Sequence, residues 1–205
     1  MNRDAMPRCL FALALPLLLA ACQAAPATER GPSPDGVDLR GAAVGGPFEL
    51  TGENGKPVRW DDFKGKYRTI YFGYAYCPDI CPTDVQRAMA GLKLFERDHP
   101  ELGAQVQPLF VSIDPERDTP AVLTEFTDNF HPRLIGMTGD TATLKQVAKT
   151  FATTFSKGEA QPGGGYLMQH QGLTYLFDPE GKPLGTLPTD KGPQAVAAEL
   201  ERWLR

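Results

Sequence analysis

The sequence predicts an α/β domain in which a central mixed sheet is flanked by helices and opened by an N-terminal β-hairpin. Two observations carry that reading. From residue 46 onward, runs rich in aromatic and β-branched residues alternate with segments of helical period, and the alternation closes in a turn-linked strand pair and a terminal helix. Strand–helix–strand connections lay strands side by side and cover the sheet with helices. In open sheets of this kind, chemistry collects at the carboxyl ends of the strands.

Residues 48–51 and 58–60 flank Glu53-Asn54-Gly55, a turn sequence that makes a hairpin. Residues 68–76, RTIYFGYAY, read as a buried strand. Val85, Ala88, Met89, Leu92 and Phe95 then recur at helical spacing. Pro82 suits the first helical position and Asp84 the first turn, so the helix is expected to begin just after Cys81. A second strong strand occupies residues 105–113, after which Thr119 can cap a helix and Pro120 can start it. Leu123, Phe126 and Phe130 mark the buried side of that helix. A short strand at 134–137 precedes a helix with Leu144, Val147, Ala148 and Phe151 inward. Strands at 174–177 and 184–187 are joined by an Asp178-Pro179-Glu180-Gly181 turn, and the last helix places Val196, Leu200 and Trp203 on one side.

The first 21 residues read as an export signal. Arg3 and Arg8 give a positive start, residues 9–21 are apolar, and Leu19-Ala20-Ala21-Cys22 closes the run. The run is short for a permanent membrane span. Its end resembles the lipobox of bacterial lipoproteins, which implies cleavage before Cys22, acylation of Cys22 and a lipid anchor on the periplasmic face of a bacterial membrane. An ordinary secretory signal would also export the chain. Residues 22–45 are rich in Ala, Gly and Pro without helical or strand period, and read as a flexible tether to a single domain at 46–205. Loss of Arg3, Arg8 and Asp4 with the signal takes the net charge from −4 to −5. No basic field is present, so nucleic-acid binding through phosphate neutralisation has no support.

The chain has four cysteines. Cys9 leaves with the signal and Cys22 is consumed by lipid, so Cys77 and Cys81 remain as thiols. They lie in YFGYAYCPDICPTD, residues 71–84, at the end of a strand and before a helix N-terminus, where the positive end of the helix dipole favours thiolates. Thiolate serves a redox couple and a metal site alike. A purely structural disulfide would close a very short loop and so fall below the ~3 kcal/mol expected for a fifteen-residue one. With the helix starting after Cys81, both sulfurs are expected in the loop.

Three histidines are candidate third ligands. His99 and His131 lie at helix ends beside prolines and read as solvated caps. His170 lies in GGGYLMQHQG, residues 163–172, a glycine-led segment entering a strand and expected to face the loop where the first long strand meets the first helix. Two soft thiolates and one imidazole suit copper, the thiolates sufficing for Cu(I) and the imidazole helping Cu(II). Zinc more often recruits a fourth protein ligand. Met168 shares a strand face with His170 but reads as core filling, Asp79 as a solvated loop carboxylate, and residues 114–120 as loop and helix-cap structure without a catalytic role.

The Cys-Pro-Asp-Ile-Cys-Pro motif at 77–82, Val-Ser-Ile-Asp-Pro-Glu-Arg-Asp-Thr-Pro at 111–120, and the histidine ahead of Thr-Tyr-Leu-Phe-Asp-Pro-Glu-Gly at 174–181 resemble the SCO/SenC family, in order and from about residue 46 to the C-terminus. The resemblance implies a thioredoxin-like fold and a copper-binding assembly factor for cytochrome c oxidase. It implies one copper per domain, held by Cys77, Cys81 and His170 in a monomer, with oxidase subunit II or other copper-carrying assembly factors as partners. One departure stands out: family members usually carry Asp directly before the histidine, and this chain has Gln169, which cannot supply the carboxylate that often orients a metal-bound imidazole.

A different class of function uses the same pair. In an exported thiol-disulfide oxidoreductase Cys77 would be the nucleophile and Cys81 the resolving thiol. Against it, thioredoxin-like oxidoreductases usually space these cysteines by three and place a proline opposite, whereas residues 163–178 contain none. A copper sensor or storage protein is the third class, storage being disfavoured because two thiolates hold one ion.

Overall fold

The computed structural model describes Met1, residues 31–161 and residues 163–204. The signal segment, Cys9, Cys22 and residues 22–30 lie outside the described residues. The chain opens with the hairpin β1 (Glu49–Gly52) and β2 (Pro57–Arg59), turned at Gly55, whose φ of +75° is the left-handed conformation glycine accepts. β3 (Tyr67–Gly73), α1 (Ile80–Asp98), the short α2 (Pro100–Gly103) and β4 (Val106–Ser112) follow. Next come α3 (Pro120–Asp128), β5 (Ile135–Thr138) and α4 (Thr141–Thr150), then the pair β6 (Phe155–Ala160) and β7 (Tyr166–His170). The chain closes through β8 (Thr174–Phe177), β9 (Pro183–Leu187) and α5 (Pro193–Trp203).

Among the described residues, seven strands form one mixed sheet in the order β2-β1-β5-β4-β3-β8-β9, with β3, β4 and β5 parallel and the rest antiparallel. Every residue of β3 and β4 is buried, as central strands covered on both faces require. Side chains alternate across the sheet, so the adjacent Tyr71 and Phe72 serve opposite sides. Tyr71 stacks on Phe110, which meets Phe126 of α3, on the face that α1 also covers. Phe72 meets Phe151 at the end of α4, within an aromatic cluster with Phe48, Trp60, Tyr175 and Phe177. The expected helical cover on both faces and the N-terminal hairpin are therefore present.

Two expectations need correction, and one strand pairing is new. α1 starts at Ile80, so Cys81 sits in its first turn and not in the loop. The first four N–H groups of a helix lack intrahelical acceptors, and Pro82 is accommodated among them without having to come first. The described part of the expected tether is packed: the Val37 carbonyl accepts the Thr186 N–H, the Leu39 N–H donates to Leu184, and Gly45 donates to Thr150. Residues 37–39 thereby cover the outer edge of β9, and Gly45 permits close approach to the Phe177 ring, so this glycine reflects contact rather than flexibility. The pairing of β6 with β7 was not expected at all. It forms a two-stranded sheet separate from the main one.

Candidate metal centre

β3 runs to Gly73, whose carbonyl still accepts the Ile113 N–H at 2.8 Å, and the chain then turns through residues 74–79 into α1. The Cys77 N–H donates to the Tyr74 carbonyl at 3.2 Å, which curls the loop back over the strand end. Asp79 occupies the N-cap position without a side-chain capping bond. Cys77 takes that part instead: its Sγ accepts the Cys81 backbone N–H at 3.4 Å. A sulfur at a helix N-terminus meets both the unsatisfied N–H groups and the positive end of the dipole.

The two thiols are consequently unlike. Burial pushes the Cys77 thiol up, but the N–H groups of Asp79 and Cys81, the Cys81 thiol and the Tyr74 hydroxyl outweigh it and hold Cys77 below the ordinary thiol range. Burial pushes Cys81 well above that range, and the neighbouring Cys77 adds to the effect. Both are free thiols, buried in the core. Gly73 makes room for this, since a Cβ there would lie 3.2 Å from the Cys81 sulfur.

His170 ends β7, opposite Phe155 of β6. Its Nε2 stands 3.2 Å from Cys81 Sγ, and its Nδ1 stands 3.2 Å from the Gln171 carbonyl. A carbonyl only accepts, so Nδ1 carries the proton and Nε2 presents its lone pair to the thiols. Burial holds the imidazole below its ordinary pKa, keeping it in the neutral form that ligates metal. Tyr71 and Tyr74 bracket the ring at 6.1 and 5.9 Å, edge-on at 83° and 88°. The ligand atoms of Cys77, Cys81 and His170 all lie within 4.8 Å of one another, a separation one ion can bridge. Two thiols and a neutral imidazole form a soft donor set.

The remaining candidates lie elsewhere. His99 caps the end of α1, 3.7 Å from Glu201, as a helix-end histidine should. His131 is corrected: it is 4% exposed, with Nε2 3.3 Å from Glu96 and Nδ1 accepting the Arg133 N–H at 3.1 Å, so it is a buried tie rather than a solvated cap. Met168 is half-buried against the core and Asp79 is exposed, as expected.

Sequence reasoning missed the burial of Asp84 and Asp118 beside the site. Asp84 accepts the Tyr71 hydroxyl at 3.2 Å beneath the β7–β8 loop, and burial pushes its carboxyl up. Asp118 Oδ2 accepts the Ala75 N–H at 2.8 Å and the Ser112 hydroxyl at 2.6 Å, tying the cysteine loop to the end of β4. Their sequence signals, a first-turn acid and a loop acid, were indistinguishable from solvated ones.

The SCO1/SenC family model matches residues 37–205. The chain is 44% identical over 165 residues to Protein SCO2, mitochondrial, of Saccharomyces cerevisiae, an alignment covering 80% of this chain and 54% of the yeast protein. It thus matches about half the length of that relative. The structure of Bradyrhizobium japonicum ScoI with copper bound superposes with a TM-score of 0.69 at 37% identity, covering 78% of this chain and 99% of that one. The thioredoxin domain of a thiol-disulfide oxidoreductase from Bacteroides vulgatus superposes with a TM-score of 0.54 at 18% identity, over 79% of this chain and 96% of that one, which places the fold among thioredoxin-like ones. With Cys77, Cys81 and His170, which could hold a metal ion, inside the matched span, the chain belongs to the SCO1/SenC family.

Proposed function

We propose that this chain carries copper as cargo on Cys77, Cys81 and His170 and delivers it during assembly of the copper centre of cytochrome c oxidase. The observation that carries the reading is the convergence of two thiol sulfurs and an imidazole nitrogen within 4.8 Å at the end of β3. Membership in a family of copper-binding oxidase assembly proteins supports it, as does likeness to a relative solved with copper bound. The thiolates hold Cu(I), and the imidazole adds the donor Cu(II) prefers. A three-residue set leaves a coordination position for a ligand from the recipient. Subunit II of the oxidase, or another copper-carrying assembly factor, is the proposed partner. The positively charged start, apolar run and small residues before Cys22 support export and anchoring by lipid at Cys22 on the periplasmic face of a bacterial membrane.

Titration of the reduced chain with Cu(I) should bind about one ion per chain, and Cys77→Ala should abolish tight binding. Unchanged binding in that variant removes the reading.

The unlike thiols favour a second role on the same pair. The Cys77 thiolate would attack a disulfide of a partner protein, forming a mixed disulfide and releasing one partner thiolate. Cys81, giving up its proton to that thiolate, would then displace the second, leaving Cys77 and Cys81 joined and the partner reduced by two electrons. Rapid exchange with a protein disulfide in the absence of copper would support this role; its absence would leave copper carriage alone.

A further inference from the structure

The donor set is assembled from two bodies. The thiols belong to the core, on the β3–α1 connection, whereas the imidazole belongs to the β6–β7 hairpin, which shares no ladder with the main sheet among the described residues. Residues 171–173 join His170 to Thr174 of β8, which pairs with Tyr71, so the backbone holds that end of the hairpin near the thiols and side chains set how the rest of it lies. Phe155 and Met168 give the hairpin apolar contact with the core, but such contact is non-directional and fixes no register.

Directional contacts tie the hairpin to residues 114–117: Lys157 Nζ of β6 donates to Glu116 at 2.5 Å, and a more buried set lies at the start of β7. The Tyr166 hydroxyl donates to Asp114 Oδ1 at 2.7 Å, and Asp114 is 2% exposed. Arg117 Nε donates to Asp114 Oδ2 at 2.5 Å, and its guanidinium lies 3.8 Å from the centre of the Tyr166 ring. The same guanidinium reaches Tyr74 and Tyr76, at 5.6 and 5.5 Å from their ring centres, and both belong to the connection that carries Cys77. Its buried Nη2 has no hydrogen-bond partner, so on that side only aromatic faces hold it. One planar cation thus touches the hairpin and the thiol loop while a buried carboxylate fixes its orientation. Tyr74 continues the chain of contact, its ring edge-on to His170.

We infer that Arg117, held by Asp114 and clasped over Tyr166, is a positioning residue that sets His170 against Cys77 and Cys81 and so governs how strongly the imidazole takes part in metal binding. The inference rests on the copper reading for its ligand but not for its geometry. Residues 114–120, whose sequence reads as loop and cap, thereby acquire a part in the site.

The test compares the parent chain with Arg117→Ala, Tyr166→Phe and His170→Ala, each titrated separately with Cu(I) and Cu(II). Arg117→Ala should lower Cu(II) affinity by about tenfold or more, in the direction of His170→Ala, and shift the thiolate-to-Cu(II) absorption, while Cu(I) affinity stays within about threefold. Tyr166→Phe keeps the ring but loses the bond to Asp114, and should fall between. In the metal-free chain, amide hydrogen exchange should quicken across residues 155–170 and stay unchanged in β3 and β4. Equal losses of Cu(I) and Cu(II), unchanged Cu(II) affinity, or unchanged hairpin exchange would each overturn the inference. A parent that binds no copper would end the copper reading alone, and hairpin exchange would still decide the role of Arg117. If Arg117→Ala does not fold, Tyr166→Phe carries the same comparison.

Discussion

Gln169 accepts the Ser156 hydroxyl at 3.3 Å across the β6–β7 ladder, on the hairpin face opposite His170. Adjacent residues in a strand point to opposite faces, so a side chain at 169 on this strand is turned away from the imidazole. The group that orients the ring is the Gln171 carbonyl, 3.2 Å from Nδ1. Gln169→Ala should therefore change Cu(II) affinity by less than about threefold, whereas His170→Ala should cost about tenfold to a hundredfold. Parallel titrations decide it. A large loss in Gln169→Ala would mean that residue 169, not the carbonyl, supports the imidazole.

Copper affinity should rise with pH. Burial and Cys77 keep the Cys81 thiol above its ordinary range, so around neutrality it is protonated, and ligation as thiolate must release that proton. Burial keeps His170 below its ordinary value, so the imidazole is already neutral there and releases none. Cys77, held below the usual thiol range, contributes less than Cys81. The logarithm of the Cu(I) binding constant should then climb by about one per pH unit between roughly pH 6.5 and 8.5. Calorimetry in buffers of different ionisation enthalpy would count the protons released. A pH-independent constant would place both thiolates in the unloaded protein and contradict the buried, protonated Cys81.

Gly73 is required by space. Its backbone is not in the left-handed region, yet a Cβ would lie 2.7 Å from the Tyr71 ring and 3.2 Å from the Cys81 sulfur. Neither neighbour is free to yield, because Tyr71 is stacked on Phe110 and tied to Asp84, and Cys81 is fully buried. Gly73→Ala should lower stability by about 1–3 kcal/mol and weaken Cu(I) binding by displacing Cys81. Denaturant unfolding and a Cu(I) competition assay read the two effects. Normal stability with normal binding would mean that the strand end shifts without cost.

The strands and helices of the main sheet were legible because their residues bury one face or two at regular period, as Val85, Ala88, Met89, Leu92 and Phe95 do on α1. Cys77 and Cys81 were legible for the same local reason, a strand end followed by a helix start. β6 was not: Phe155–Ala160 carries Ser156, Lys157 and Glu159, and it becomes a strand through its ladder with β7. The burial of His131 rests on Glu96, and residues 37–39 pack separately on β9; both are tertiary contacts that leave no local pattern. Arg117 was visible only as part of a motif, because its partners Tyr74, Tyr76 and Tyr166 come from distant stretches.

Asp118 should prove a stabiliser of the cysteine loop whose value depends on pH. It is fully buried, and one oxygen serves both the Ala75 N–H, two residues before Cys77, and the Ser112 hydroxyl. Asp118→Ala strands both donors and should cost about 2–4 kcal/mol, with weaker Cu(I) binding as the loop loosens. Asp118→Asn keeps an acceptor oxygen and should cost less. Burial raises the Asp118 carboxyl in the folded chain, so the protonated form is favoured on folding. That contribution is complete below the ordinary carboxylate pKa and is lost as pH rises through the raised value. The parent should therefore lose stability across that interval, through Asp118 together with Asp84, which is raised for the same reason. Asp118→Asn should remove the share due to Asp118, and denaturant unfolding of both chains across the acid range would measure the difference. Identical pH dependence in the two would show that Asp118 ionises in the fold as freely as in the unfolded chain.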